Sequence, residues 1–142
     1  MTDLLPTELR LDIVTPDRLV AHDAVSAVTI PGKNGYLGIL PGHAPLLTEL
    51  APGELVYLRD GIEHFVAVDW GLAEVLPGRV IVLVQSAERA EEIDMERAER
   101  AKKRAEELLA RFADPQIDLE RAQQALRRAM VRLETARRAG GQ

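Results

Sequence analysis

Four arginines carry the strongest chemical signal in the chain. Arg97 and Arg104 are seven residues apart, and Arg128 and Arg132 are four apart. On a helix these spacings return side chains to one face. Guanidinium groups gathered together repel one another unless an anion joins them. Their planar fork pairs well with phosphate, so a polyphosphate is one ligand that such a cluster fits. The plainer alternative is that each arginine pairs with a nearby glutamate and stays in water. A short repeat begins beside them: Ile93-Asp94-Met95-Glu96-Arg97-Ala98 returns as Ile117-Asp118-Leu119-Glu120-Arg121-Ala122. Each copy reads as the opening turn of a helix, with Asp at the positive end of the dipole and Arg three residues on. Asp94 stands apart, because its spacing puts it on an apolar seam, where a carboxylate asks for a partner.

Other chemistries find little support. There are no cysteines, which excludes a disulfide framework, a thiolate metal site and a cysteine nucleophile. The three histidines, His22, His43 and His64, have none of the usual metal-ligand spacings. Neither a phosphate-cradling G-x-x-x-x-G-K-[ST] loop nor a G-x-S-x-G nucleophile elbow is present. His43, between Pro41-Gly42 and Ala44-Pro45, reads as a residue that satisfies local backbone groups. Gly32-Lys33-Asn34-Gly35 reads as a plain turn. Asp60 and Asp69 sit beside turns without an acid–base partner. The chain is expected to be no enzyme, with no catalytic residue and no metal.

The elements that must position the arginines are written in two different periods. Gly and Pro recur throughout the first part, whereas residues 79–139 hold no Gly and a single Pro, Pro115. These residues punctuate regular structure most strongly. The first part, residues 1–85, is therefore cut into short pieces that read as strands. Residues 8–13 alternate polar and apolar. Residues 55–58 and Ile62–Val68 flank Arg59-Asp60-Gly61, and Asp-Gly favours a two-residue hairpin turn. Residues 80–84 are rich in β-branched side chains. Further candidates are 19–22, 24–30, 36–40, 46–49 and 72–76. About nine short strands at this spacing predict an all-β sandwich or flattened barrel.

The second part, residues 86–142, predicts an α-helical antiparallel hairpin. Ala87, Ala90, Asp94, Ala98, Ala101, Ala105, Leu108 and Phe112 step by three and four, as do Leu119, Ala122, Leu126, Ala129, Leu133 and Ala136. Pro115 interrupts the seam, and Asp114 or Asp118 is placed to cap the second helix. In this heptad frame Arg97, Arg104 and Arg132 take g positions and Arg128 is the i−4 neighbour of Arg132. The hairpin thus gathers all four on one flank. Its seam is mostly alanine, which buries little area at about 25 cal/mol per Å². Such a hairpin is expected to open, or dock elsewhere, at modest cost.

The net charge of −5 is unevenly placed. Residues 1–85 hold 5 basic and 11 acidic side chains, and residues 86–142 hold 13 and 12. An acidic first part argues against nucleic acid as a ligand. No apolar run approaches the roughly 20 residues that span a bilayer. The first residues lack a basic region followed by an apolar core. A cytoplasmic protein is expected, without direct membrane insertion, so that any membrane association comes through a partner.

One run resembles a known family. Gly35-Tyr36-Leu37-Gly38-Ile39-Leu40-Pro41-Gly42-His43-Ala44-Pro45-Leu46 is similar to the G-x-L-G-I-x-P-G-H-A-P-L signature of epsilon subunits of bacterial F-type ATP synthases. Val14-Thr15-Pro16 and Ile93-Asp94-x-x-Arg97-Ala98 match as well, and the likeness covers residues 7–138. The resemblance implies a rotor subunit of the central stalk, peripheral on the cytoplasmic face of the plasma membrane. Its sandwich would bind the gamma subunit and rest on the ring of c subunits, with Gly32, Lys33, Asn34 and Gly35 toward the ring. Its hairpin would fold on the sandwich or extend toward the alpha and beta subunits and inhibit ATP hydrolysis. The resemblance further implies ATP as a regulatory ligand of the folded hairpin, not a required cofactor. The implied contacts are Ile93, Asp94, Arg97, Ala98 and Arg104 on the first helix and Arg128 and Arg132 on the second, with Glu88 as a weaker match. The alternative is a purely structural stalk subunit that binds no nucleotide.

Overall fold

The computed structural model describes residues 6–141. Ten strands come first: β1 (Leu9–Val14), β2 (Leu19–Val25), β3 (Ala27–Gly32), β4 (Gly35–Ile39), β5 (Leu46–Leu50), β6 (Gly53–Arg59), β7 (Ile62–Val68), β8 (Gly71–Leu76), β9 (Arg79–Val84) and β10 (Ala87–Arg89). A 3₁₀ turn at Ala90–Glu92 leads to helices α1 (Met95–Ala110) and α2 (Leu119–Gly141). The strands form one sheet in the order β10-β7-β6-β3-β5-β8-β9-β1-β2, with β4 paired to β3. Its two ends meet again, since β2 lies against β6 and β10. Arg89 ties this closure: one guanidinium nitrogen donates to the Val20 carbonyl at 2.7 Å and another to the Tyr57 hydroxyl at 2.9 Å. The result is a flattened barrel, the all-β class expected for the first part.

Alternation explains the core. Leu9, Leu11 and Ile13 of β1 point inward, as do Val80, Val82 and Val84 of β9, and pack with Tyr57, Ile30 and Leu55. Strands β1 and β9 are parallel, with Leu11 opposite Val80, while the other pairings are antiparallel. The Asp60-Gly61 turn has φ of 53° and 77°, the left-handed pair that a two-residue hairpin needs. The expected strand at 24–30 is divided, because β2 runs through Val25 and β3 restarts at Ala27.

The helices form a hairpin whose seam is alanine. Ala98 and Ala105 of α1 and Ala122 and Ala129 of α2 are buried, with Leu133 and Ala136 beyond them. Helix α2 packs on α1 and also on β6, β7 and the 3₁₀ turn, so it lies between α1 and the barrel. Ala67 of β7, Ile93, Ala136 and Val131 form a small apolar cluster at that junction.

Three expectations are corrected here. Ala87 and Ala90 do not begin the helical seam: Ala87 lies in β10, paired to Val68, and Ala90 opens the 3₁₀ turn. Asp94 is not on the seam: it is the exposed N-cap of α1, with its carboxylate accepting from the Arg97 backbone N–H at 3.1 Å. Phe112 is not on it either, because α1 ends at Ala110 and Phe112 is 73% exposed in the turn beyond. The second copy of the repeat begins like the first, with Asp118 accepting from Arg121 N–H at 3.1 Å. Asp114 instead accepts from Gln116 N–H at 2.9 Å, which shapes the connection.

Candidate functional site

Three elements meet around one open cleft of about 460 Å³. Helix α1 supplies Arg97 and Arg104, α2 supplies Arg128 and Arg132, and the barrel edge supplies Ser86 and Glu88. The floor is made of small side chains, Ala101, Ala105, Ala125 and Ala129, closed at one end by Leu108. Each part follows from local sequence. The i, i+7 spacing on α1 and the i, i+4 spacing on α2 keep each arginine pair on one face. The alanine seam lets the two helices approach closely. Strand β10 projects Glu88 toward α2, because Ala87 on its other face is buried in the core.

The electrostatics are uneven within the cleft. Glu88 grips Arg132 with both oxygens, at 2.5 Å to Nε and 3.3 Å to Nη2. Arg128 leans toward Asp69 at 3.9 Å. The side chains of Arg97 and Arg104 have no hydrogen-bond or ion-pair partner among the described residues. The reading in which every arginine pairs with a neighbouring carboxylate therefore describes α2 and not α1. Four guanidinium groups against the carboxylates of Glu88 and Asp69 leave the cleft cationic. Such a site favours an anion that presents several oxygens to planar donors. The volume lies in the usual range for small-molecule sites, about 300–1,000 Å³.

Of the eight residues expected around a nucleotide, five line the cleft: Glu88, Arg97, Arg104, Arg128 and Arg132. The other three shape it from outside. Ile93 is buried against Ala67 and Ala136, Asp94 caps α1, and Ala98 is buried against α2. Residues 32–35 belong to a different surface. Gly32 pairs with Gly35 across the β3–β4 turn, Lys33 and Asn34 are exposed, and Lys33 Nζ reaches Glu49 at 3.3 Å. His43 Nδ1 meets the Ala44 carbonyl at 2.6 Å, a local backbone contact.

Sequence reasoning left three polar residues without a structural role. Asp69 and Ser86 flank the cleft through the adjoining ends of β7 and β10, and their backbones are joined by a 3.0 Å hydrogen bond. That pairing is between segments far apart in the chain and leaves no periodic signal. The third is Asp12, buried on β1, which binds His22 and takes hydrogen bonds from Arg79 at 2.8 and 3.1 Å. Burial pushes its carboxyl up, but the bonds from His22 and Arg79 together outweigh this and hold it below the ordinary range. It pins β1, β2 and β9 together, far in sequence from the arginines.

Comparison with known proteins matches the barrel and the helices to two family models. Residues 8–90 match the family model of the ATP synthase delta/epsilon chain β-sandwich domain, and residues 91–137 match that of its long α-helix domain. An ATP synthase epsilon chain of Koribacter versatilis is 59% identical over 98 residues, 69% of each chain. That of Geotalea uraniireducens is 43% identical over 132 residues, covering 93% of this chain and 96% of its own. A chain in the Euglena gracilis mitochondrial ATP synthase, solved with its c-ring, superposes with a TM-score of 0.81 at 27% identity, over 96% of this chain and 85% of that one. A chain in the central stalk and c-ring structure of the Tetrahymena thermophila mitochondrial ATP synthase shares the fold alone, at 14% identity and a TM-score of 0.59, over 96% of this chain and 98% of that one. With two domain matches in order and relatives aligned over nearly the whole length, the chain belongs to the ATP synthase epsilon chain family.

Proposed function

We propose that this chain is a non-catalytic rotor subunit whose hairpin regulates the complex, and that ATP bound in the arginine cleft holds the hairpin folded. The barrel would bind the gamma subunit and rest on the c-subunit ring, with residues 32–35 toward the ring. The complex would place the chain on the cytoplasmic face of the bacterial plasma membrane. Released, the hairpin would extend toward the alpha and beta subunits and inhibit ATP hydrolysis. One observation carries the ligand reading: the cleft is assembled from α1, α2 and β10 together, so it exists only while the hairpin is folded on the barrel. A ligand that binds one state alone shifts the equilibrium toward it by mass action.

Calorimetric titration of the ligand-free chain with ATP, with and without magnesium, tests the reading. We expect one saturable site. Removing two guanidinium groups in the Arg97→Ala, Arg128→Ala double variant should weaken it by tenfold or more, since a hydrogen bond to a charged group contributes about 1.5–3 kcal/mol. Unchanged affinity in that variant would remove the arginine-cleft assignment.

The second reading is a purely structural stalk subunit. It is favoured by one observation, that Arg128 and Arg132 already engage Asp69 and Glu88 and so dock α2 without any ligand. Truncation after Ala90 leaves β10 in the sheet and removes the hairpin. An ATPase rate of the assembled complex that ignores this truncation would favour the structural reading.

A further inference from the structure

Helix α2 has a second polar anchor, on the side away from the arginine cleft. There a groove of about 460 Å³ is lined by Tyr36, Glu54, Glu63, Glu134, Thr135 and Arg138, among others. Glu54, near the start of β6, is only 9% exposed, and Thr135 of α2 is fully buried against the barrel. Arg138 holds one Glu54 oxygen at 2.9 Å and lies over the Phe65 ring at 4.9 Å from its centroid. The other oxygen, Glu54 Oε2, is buried without a hydrogen bond, and so is the Thr135 hydroxyl. An ionised carboxylate left half-satisfied away from water is costly.

The charges around Glu54 come from both packed elements. Helix α2 presents Arg138 and Glu134, and β7 presents Glu63. From β4 the Tyr36 hydroxyl oxygen accepts a hydrogen bond from the Glu54 backbone N–H at 3.2 Å. One cation thus faces three carboxylates, that of Glu54 buried and those of Glu134 and Glu63 exposed. A proton on Oε2 removes one negative charge from this group.

We propose that Glu54 is a proton-operated latch, so that docking of α2 on the barrel takes up a proton and rising pH releases the hairpin. Burial is the main influence and pushes the Glu54 carboxyl up, Arg138 and the Thr135 hydroxyl pull it down, and Glu134 and Glu63 push it up again, for a net rise. In an undocked hairpin Glu54 faces water, with an ordinary value of about 4.3. A group raised by docking strengthens docking fully below that value. The gain is lost as pH climbs through the docked value. The latch uses only the docked hairpin and is independent of any nucleotide.

The ligand-free full chain provides its own reporter. Trp70 is the only tryptophan, and Arg127 of α2 sits over its ring at 5.9 Å. Acrylamide quenching of Trp70 should increase as pH rises from about 4.3 toward neutral, with the docking constant falling by up to about tenfold per pH unit. In Glu54→Gln, whose amide mimics the protonated acid, quenching should stay low and flat across that range. In Thr135→Val, which removes a hydroxyl that pulls the Glu54 carboxyl down, the transition should move to higher pH. A wild-type profile without pH dependence would overturn the latch, as would a Glu54→Gln variant that keeps the wild-type slope. Should Glu54→Gln fail to fold, an unshifted transition in Thr135→Val overturns it instead.

Discussion

Asp94 and Asp118 perform one task at the starts of two helices. Each carboxylate accepts from the backbone N–H three residues on, satisfying a donor that the first turn leaves open. The repeated I-D-x-E-R-A segment is therefore a helix-start signal twice over, and only its first copy adds an arginine that faces the cleft. This separates two roles that sequence alone left joined in Asp94. Asn caps as well as Asp, whereas Ala does not. Asp94→Ala should cost about 1 kcal/mol in urea unfolding, and Asp94→Asn should cost only a few tenths. Equal losses in both variants would mean that Asp94 acts through its charge. The capping role was legible in the second copy. In the first it was hidden by Ala87 and Ala90, which extend the three-and-four step backward. Alanine fits a strand, a 3₁₀ turn and a helix alike, so its spacing could not show where α1 begins.

At the level of elements, what was legible followed from punctuation and period. Ile62–Val68 and its Asp60-Gly61 turn were readable because alternation and a left-handed turn pair coincide there. Strand β10 was not readable. It is three residues long, holds no β-branched side chain, and exists because β7 offers a free edge. That short strand matters to the site, since it carries Glu88 to Arg132. The helix flank holding the arginines was readable from the heptad frame, while the barrel's share of the cleft was not. The hairpin's own weak point is its seam. Ala122 is 2% exposed, buried between the helices and outside the cleft. Ala122→Leu inserts a larger side chain where the helices approach closely, at an expected cost of about 1–3 kcal/mol. Because α2 also docks by Arg128, Arg132 and Arg138, the barrel should stay folded while α1 is displaced. Circular dichroism should then keep its β signal as helical melting moves to lower temperature. A loss of both signals together would show that hairpin and barrel unfold as one unit.

For the whole molecule, the proposal that folding of the hairpin responds to its surroundings rests on the arrangement of charge around α2. One side of α2 faces a cationic cleft that also needs α1 and β10, and the other covers a half-satisfied carboxylate. Neither side is fully compensated by the protein alone. Arg97 and Arg104 remain without side-chain partners among the described residues, and their repulsion toward Arg128 and Arg132 opposes closure. An anion that bridges the helices should therefore do two things at once. It should raise the melting temperature and reduce acrylamide quenching of Trp70, because both follow from the docked state. At ATP one hundred times its dissociation constant the gain should be about 2.7 kcal/mol. Added salt should shrink it, since the attraction is partly exposed to solvent. In the Arg97→Ala, Arg104→Ala double variant the ligand-free hairpin should dock at least as well as in the natural chain, because repulsion is relieved, while both ATP responses disappear. Arg121→Ala, which alters the same motif outside the cleft, should leave both responses intact. A double variant that still gains stability from ATP would place the anion elsewhere on the molecule. One that docks poorly without ATP would make α1's arginines structural supports, and the repulsion argument would fail with them.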